Sequence, residues 1–503
     1  MPMNNEKRMH PAAILILFFT RLREFIVPLI LIFVVGGTGG GFSFRWLLPA
    51  FIVFFLITSI FNWLFYKYTF NETELHIKHG VFVKKNRYIR RKRVQSFDVT
   101  AGILQRLFGL VKVKIETAGG GGEPEVEMVA LEKVEAQNIK QQLLSEPGTD
   151  EEGVNSTNEE REITADEQVT GRSAPVGPEV RWHLPKSHLL LMAVTSGGVG
   201  LVFSALAALF SQFDQFIPTH VYENTIGFFL ASSILFILLL IVVIAFLAWL
   251  IAIGLTLIKY GRFKVEKKGD DLIVSRGLLE RRQLTLKTYR ITAVRVVISP
   301  LRQPFRFASV YVESAGGGSQ EEQGSTLLLP MVPFRSLEKT VQHFVTDFPI
   351  ERPLTSLPRR ALLRYLLRSA GPVFAVALGA SLFVPYGAWS FILVPVALAL
   401  GWWRYNSGGW TLDESESYVL LQSRLFQLAR VSVPRHKIQD ATYARTVTQK
   451  YRDLAHFSVA VLSTAAGKTF QVKDLSEDDA RSIHSWYSYR PTSFNQKRED
   501  EEE

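Results

Sequence analysis

The sequence predicts a multi-pass α-helical membrane protein, with about six spans in three pairs and three cytoplasmic domains, each a small β-barrel closed by a C-terminal helix. Three observations predict it. Two long apolar stretches followed by a run of short alternating strands occur three times along the 503 residues. A motif recurs with them: Gly80-Val81-Phe82, Arg93-Val94-Gln95, Leu104, Phe108 and Val113 to Gly119 reappear 197 residues later as Gly277-Leu278-Leu279, Arg290-Ile291, Leu301, Phe305 and Val310 to Gly316. Basic residues, finally, crowd one side of the apolar stretches. The third copy is more worn, with Lys437-Ile438-Gln439 in place of Arg93-Val94-Gln95 and a Val459 to Gly467 segment that lacks the Glu.

Residues 1–24 carry Lys7-Arg8, a short apolar run and Arg21-Leu22-Arg23-Glu24, without a small-residue cleavage site, and read as an interfacial amphipathic segment, not a signal peptide. The first span pair occupies 25–66, as Phe25 to Gly41 and Trp46 to Phe65, and the first soluble domain 67–145. Residues 146–180 are acidic, contain Gly and Pro and hold few large apolar side chains, which predicts a disordered linker. The second pair fills 188–258, as His188 to Phe210 and Ile226 to Ile258, and the second domain 259–350. The third pair fills 368–403, as Ala370 to Pro385 and Ser390 to Trp403, the third domain 404–489, and a charged tail 490–503.

Orientation follows from the loop charges. Lys7, Arg8, Arg21, Arg23, Lys67, Lys186, Lys259, Arg359, Arg360, Arg364, Arg368 and Arg404 flank the spans on one side, whereas the connections within the pairs hold little charge. Short loops rich in Lys and Arg stay in the cytoplasm, so both termini and all three domains are expected there, in a cell (cytoplasmic) membrane protein. The chain has no cysteine, which excludes disulfides, thiolate metal sites and cysteine nucleophiles together. No span interior carries an ionisable residue, which argues against proton-coupled transport. Ser196, Gly200 and Ser204, and likewise Ala375 and Gly379, are spaced for close helix packing.

Within the first domain Glu74 to Lys78, Val81 to Tyr88, Val94 to Thr100, Val111 to Glu116 and Glu125 to Ala130 read as strands, and Leu131 to Leu144 as a closing helix. Ser336 to Thr346 and Ser476 to Trp486 are the matching helices. A small antiparallel sheet plugged by one amphipathic helix is the pattern of a pleckstrin-homology-like (PH-like) barrel. Arg93-Val94-Gln95-Ser96, Leu104-Gln105-Arg106-Leu107-Phe108-Gly109-Leu110 and Val113 to Gly119, set directly after a span pair, resemble the bacterial PH-like membrane-flanked domain. Three such units on six spans resemble the YdbT-type proteins of Gram-positive bacteria. The third copy departs, with Tyr451-Arg452-Asp453-Leu454 where Leu-Phe-Gly stands in the first. The resemblance implies a PH-like fold with no catalytic residue and no agreed ligand. It also implies an association with envelope defence, including bacteriocin tolerance, and a smaller membrane protein with one PH-like domain as partner.

The candidate site is the basic run Lys84, Lys85, Arg87, Arg90, Arg91, Lys92 and Arg93, which no acid interrupts between Lys78 and Asp98. Near an anionic leaflet each such residue contributes on the order of 1 kcal/mol. The bland alternative is that these charges enforce the inside location and solvate a sheet face. Tethering under a membrane argues against nucleic acid as the partner. Gly119 to Gly122 and Gly316 to Gly318 lack the Lys-Ser/Thr of a phosphate loop and read as turns. His76, His79, His436 and His456 lack metal-binding spacing and read as ordinary surface histidines. The expectation is therefore a non-enzymatic membrane scaffold or protective factor without cofactor or metal, binding membrane lipids. A transporter component, or an enzyme whose site the sequence hides, are the alternatives.

Overall fold

The computed structural model describes residues 6–35, 47–144 and 180–488, apart from 72–73, 82, 118–123, 199, 201, 203, 206–207, 209–232, 315–324, 414–416 and 464–466. The acidic linker, the charged tail and the loops within the first two span pairs lie outside the described residues. Contacts divide the chain into two units, residues 1–181 with 266–287, and residues 182–265 with 288–503.

The first unit opens with a two-residue strand β1 (Lys7–Arg8) and the helices α1 (Ala13–Val35) and α2 (Leu47–Leu64). Strands β2 (Lys67–Phe70), β3 (Glu74–His79) and β4 (Lys85–Arg90) follow as a meander, and β1 returns to pair with β2. The helix pair is thus inserted between the first and second strands of the module. A second meander, β5 (Val94–Ala101), β6 (Leu110–Thr117) and β7 (Val126–Glu132), carries the short helix α3 (Ile103–Leu107) between its first two strands and ends in α4 (Lys133–Leu144). Strict alternation in β6 sends Val111, Val113 and Ile115 inward, where they meet Leu75, Ile77, Ile89 and Phe97 and the α4 residues Ala136, Ile139 and Leu143.

The same order recurs. Strand β8 (Val180–His183) precedes helix α5 (Lys186–Val194), and α6 (Ile234–Tyr260) leads into β9 (Lys264–Lys268), β10 (Asp271–Arg276) and β11 (Arg281–Lys287). Strands β12 (Ile291–Ile298), β13 (Phe307–Ser314) and β14 (Ser325–Pro333) end in α7 (Leu337–Phe344). The third module has β15 (Thr355–Ser356), helices α8 (Leu362–Phe383) and α9 (Leu393–Asn406), and strands β16 (Gly409–Leu412), β17 (Tyr418–Arg424) and β18 (Leu428–Pro434). It closes with β19 (Ile438–Ala444), the four-residue α10 (Val447–Lys450), β20 (Leu454–Val461), β21 (Lys468–Ser476) and α11 (Glu477–Ser488).

The expected closed barrels are not formed. The strands make open sheets in the orders β1-β2-β3-β4, β7-β6-β5-β11-β10-β9-β8, β14-β13-β12-β18-β17-β16-β15 and β19-β20-β21, and the two seven-stranded sheets run from one module into the next. The outer edge of β5, which would have to meet β4 to close the first barrel, is occupied by β11, and the edge of β12 by β18. An edge strand left open is a template for pairing, and the chain fills two of them with its own next module.

Among the described residues three helices are long and apolar enough to cross a membrane, Leu238–Tyr260, Arg359–Phe383 and Gly387–Asn406, against the six expected. The shorter apolar helix Pro49–Leu64 lies where the second span was expected. Helix α1 runs without a break from Ala13, within the expected interfacial segment, into the predicted first span. The strand expected over Val81 to Tyr88 begins only at Lys85, because the chain turns at Gly80 between β3 and β4. Gly80 has φ +113° there, and a Cβ on it would stand 2.0 Å from the Val83 carbonyl oxygen. Gly277 repeats the geometry at φ +104°. Close approach of α8 and α9 depends on Gly401, whose Cβ would lie 2.9 Å from the Tyr365 carbonyl oxygen, and not on Gly379, beside which there is open space. Ser196 does pack, bonding Thr256 at 3.2 Å across α5 and α6.

Candidate functional site: the span-side rim of the β-modules

Strand register sets which end of each module faces its spans. In the third module α9 ends at Asn406, and Gly409 pairs with Gln422, two residues before the β17–β18 hairpin tip. The tip therefore turns back toward the helix it came from. Arg404 Nε on α9 donates to the Leu425 carbonyl at 2.8 Å, and its guanidinium lies 5.5 Å from the Phe426 ring. The Arg424 guanidinium lies 4.0 Å from the Trp403 ring and donates through Nε to Ser407 Oγ at 2.8 Å. Trp and Arg side by side at a span end are characteristic of the membrane–water boundary. At that level Leu425 and Phe426 are 69 % and 61 % exposed.

The loop after the first strand of each second meander reaches the same level. Because β12 and β18 are antiparallel, with Ile298 opposite Leu428, residues 299–306 emerge beside the hairpin tip, and Arg424 Nη2 donates to Gln303 Oε1 at 3.2 Å. Arg302 of this loop donates to Thr195 at the end of α5, 3.1 Å away, and Leu301 and Phe305 are exposed beside it. In the third module α10 is held at the start of α8 by Arg364 Nη1, which donates to Thr448 Oγ1 at 2.6 Å. This leaves Val447 and Tyr451 exposed, the latter 85 %.

The first unit repeats the juxtaposition. Arg281 faces Ala101 across the β5–β11 pairing, so α3 lies beside the 277–280 tip. Arg106 Nη1 donates to the carbonyls of Leu278 and Leu279 at 3.1 Å each. Ile103, Leu107, Phe108, Leu278 and Leu279 are all exposed around this contact, Leu107 at 77 %. Contiguous exposed apolar side chains on equivalent loops of successive repeats point to a binding surface more than do scattered ones. The sequence contained part of the signal, since Phe108 and Phe305 are repeat positions that are both exposed, whereas Leu104, the counterpart of the exposed Leu301, packs against the core. Apolar residues in a repeat are first taken for core, and only the register shows that the exposed ones lie at the sheet ends.

The same register divides the basic run. Lys67, three residues after α2 ends, faces Lys78, and Lys78 faces Asn86, so Lys84 and Lys85 stand at the span-side end of the sheet. Arg90 faces Glu74 and forms an ion pair with it at 3.4 Å. At about 3.3 Å per strand residue, Arg90 lies some 17 Å from Lys85, and Arg91, Lys92 and Arg93 form a 3-10 turn beyond it. Arg87 donates from Nη1 to the Glu125 carbonyl. The seven residues are therefore not one surface. Glu6 binds both Lys67 and Lys78 at 2.8 Å, and these two ammonium groups hold its carboxyl down to about 2.

Two buried carboxylates were missed in the sequence. Asp474 is fully buried at φ +58°, its oxygens bound by Arg364 Nε and Arg368 Nη2 from α8 at 2.8 Å each and by Gln449 Nε2 at 2.8 Å. His456 is no surface histidine. It is partly buried between Gln449 and the Asp474 backbone N–H, and burial pushes its pKa below the ordinary imidazole value, against the pull of Asp474. Glu313, also fully buried, is bound by Arg295 at 3.2 Å, by Lys468 at 3.1 Å and by Ser325. Both sites tie elements together. His76 stacks on Tyr88 with ring centroids 4.0 Å apart, and His79 on Tyr66 at 5.9 Å.

A chain of β-modules with a helix pair after the first strand, and with exposed apolar loops that in the second unit lie against the ends of α5, α8 and α9, defines a class of membrane-anchored β-domain protein. The bacterial PH domain family matches residues 15–147, 225–345 and 362–491, and the chain belongs to that family. It is 32 % identical over 505 residues, 97 % of this chain and 99 % of the relative, to the UPF0699 transmembrane protein YdbT of Bacillus subtilis (strain 168). No solved structure matches.

Proposed function

We propose that this membrane protein is a non-enzymatic scaffold whose three PH-like modules rest on the inner leaflet, with both termini in the cytoplasm. The observation that carries the reading is the apolar rim, whose members in the second unit lie against the ends of α5, α8 and α9. The chain lacks cysteine, so single substitutions report topology without background. Tyr386→Cys, in the turn between α8 and α9, is expected to react with an impermeant maleimide in protoplasts, and Asn86→Cys and Ser485→Cys only after lysis. Labelling of either soluble position from outside would remove the proposed orientation.

Contact with anionic lipid is assigned to Lys84 and Lys85, and not to Arg90, Arg91, Lys92 and Arg93, which stand more than a Debye length of about 8–10 Å farther along the sheet. Reversing Lys84 and Lys85 to Glu should cost on the order of 1 kcal/mol of surface attraction per charge removed. The paired change at Arg90 and Lys92 should cost little. Tyr88→Cys carrying an environment-sensitive fluorophore, with the full chain in nanodiscs of increasing anionic lipid content, separates the two. An equal loss in both variants would mean that the sheet lies flat on the surface.

Protection of the envelope, together with a smaller PH-like membrane protein, fits a surface-bound scaffold that occupies the leaflet a pore-forming peptide disturbs. Deleting the gene should then raise sensitivity to membrane-active peptides while leaving ordinary growth nearly unchanged. Unaltered sensitivity would remove the protective role and leave the scaffold.

A further inference from the structure

The two junctions between modules obey one rule of register. Across the first, Asp98 faces Leu284, Phe97 faces Thr285 and Ser96 faces Leu286. Across the second, Arg295 faces Val431 and Val294 faces Ser432. Phe97, Val294 and Ala441 are equivalent, since they face Ile115, Val312 and Val459 within their own meanders. By the repeat, Thr285 and Ser432 are equivalent to each other and to Tyr88. Each junction therefore joins the same two positions. The chain leaves one copy of each unused: among the described residues β4 and β19 are sheet edges, β4 of the kind that docks and β19 of the kind that receives.

We propose that β4 of one molecule pairs antiparallel with β19 of a second copy, continuing the sheet head to tail with Tyr88 opposite Ala441, Arg87 opposite Thr442 and Ile89 opposite Asp440. The inference does not rest on the lipid reading above. Charge on the two edges supports the second copy as occupant. Strand β4 presents Lys85, Arg87 and Arg90, all exposed, so two β4 edges repel, whereas β19 presents the exposed Asp440. In the proposed register Asp440 stands diagonal to Arg87 of the other copy, two residues on from its direct partner. Asp98 and Arg282 have that same relation at the first junction, where they form an ion pair at 2.7 Å. The local geometry is also prepared, because Thr442 Oγ1 donates to Asp440 at 2.7 Å as Thr100 Oγ1 does to Asp98 at 3.4 Å. Positions that a neighbouring strand buries at the internal junctions, Thr285 and Ser96, are exposed at their outer counterparts Tyr88 and Asp440. A contact of this kind is heterologous, joining different patches of two copies.

The test uses full-length chains in native membranes, one bearing Thr442→Cys and the other Arg87→Cys, both exposed positions in a protein without other thiols. A short bifunctional thiol reagent should join the two chains, and should join Tyr443→Cys with Arg87→Cys at least fivefold less, because neighbouring strand residues point to opposite faces. Asp440→Arg should weaken association by up to about fivefold, the scale of one cross-strand charge pair, and Arg87→Glu in the same chain should restore it. Equal cross-linking of the matched and mismatched pairs would overturn the proposal. So would a chain that stays monomeric at native density, or capture of a different protein by the Thr442→Cys chain in place of a second copy.

Discussion

Replacing Asp474 by Ala is expected to destabilise the full-length protein by about 3–5 kcal/mol, the cost of stranding buried charge when one partner of an ion pair is removed. The carboxylate is fully buried and holds Arg364 and Arg368 from the helix that enters the third module, so its loss leaves two cations facing Gln449 and His456 without a counter-charge. Asp474→Asn separates the contributions. At φ +58° Asn is tolerated nearly as well as Asp, so the backbone is kept while the charge is lost. Thermal unfolding in nanodiscs and protease sensitivity of residues 438–488 measure both variants. An Ala variant within about 1 kcal/mol of the parent would show that α8 and the third module are not joined through this carboxylate.

The same cluster gives stability a pH dependence. The pKa of His456 is lowered in the fold, chiefly by burial, so the folded protein keeps the ring neutral while the unfolded chain protonates it near the ordinary value of about 6.5. The contribution is fully present above that value and is lost as pH falls through it toward the lower folded pKa. His456→Gln should flatten the slope between about pH 7.5 and 5.5.

How much was legible in the sequence follows from the range over which each feature is encoded. The modules could be read because alternation in β6 and the Val-x-Val-Glu of β13 are local patterns that recur. The pairing of β5 with β11 could not, since a strand's pattern records which face is buried and not which neighbour lies beside it, and the partners are separated by a span pair. Strands β1 and β15, two residues each, are too short to show a period, so the insertion of the spans inside the module was hidden. The basic run was visible but its spread was not, because on a strand each residue advances the chain by about 3.3 Å, so β4 carries its charges along the whole length of the sheet. The Asp474 cluster left only a faint trace, Arg364 and Arg368 one turn apart on α8, with the partner 106 residues beyond the nearer of them.

The apolar rim yields the second large effect. Leu425→Asp with Phe426→Asp should free the third module from the leaflet while leaving its fold intact, because both side chains are exposed and neither contributes to the module's core. Each such side chain is worth about 1.5–3 kcal/mol when fully removed from water, so the pair accounts for roughly 3–6 kcal/mol of insertion, and the new carboxylates add repulsion from anionic headgroups. Tyr451→Cys carrying an environment-sensitive fluorophore reads the outcome on the neighbouring rim loop in nanodiscs. The parent should report an apolar setting and the double variant water, with the unfolding temperature of the two the same. A fall in stability parallel to the fluorescence change would mean that the tip packs against protein. An unchanged probe in a stable protein would mean that the loops never enter the bilayer, and the rim would then have to be read as a surface for another protein, at the depth set by Arg404 and Trp403.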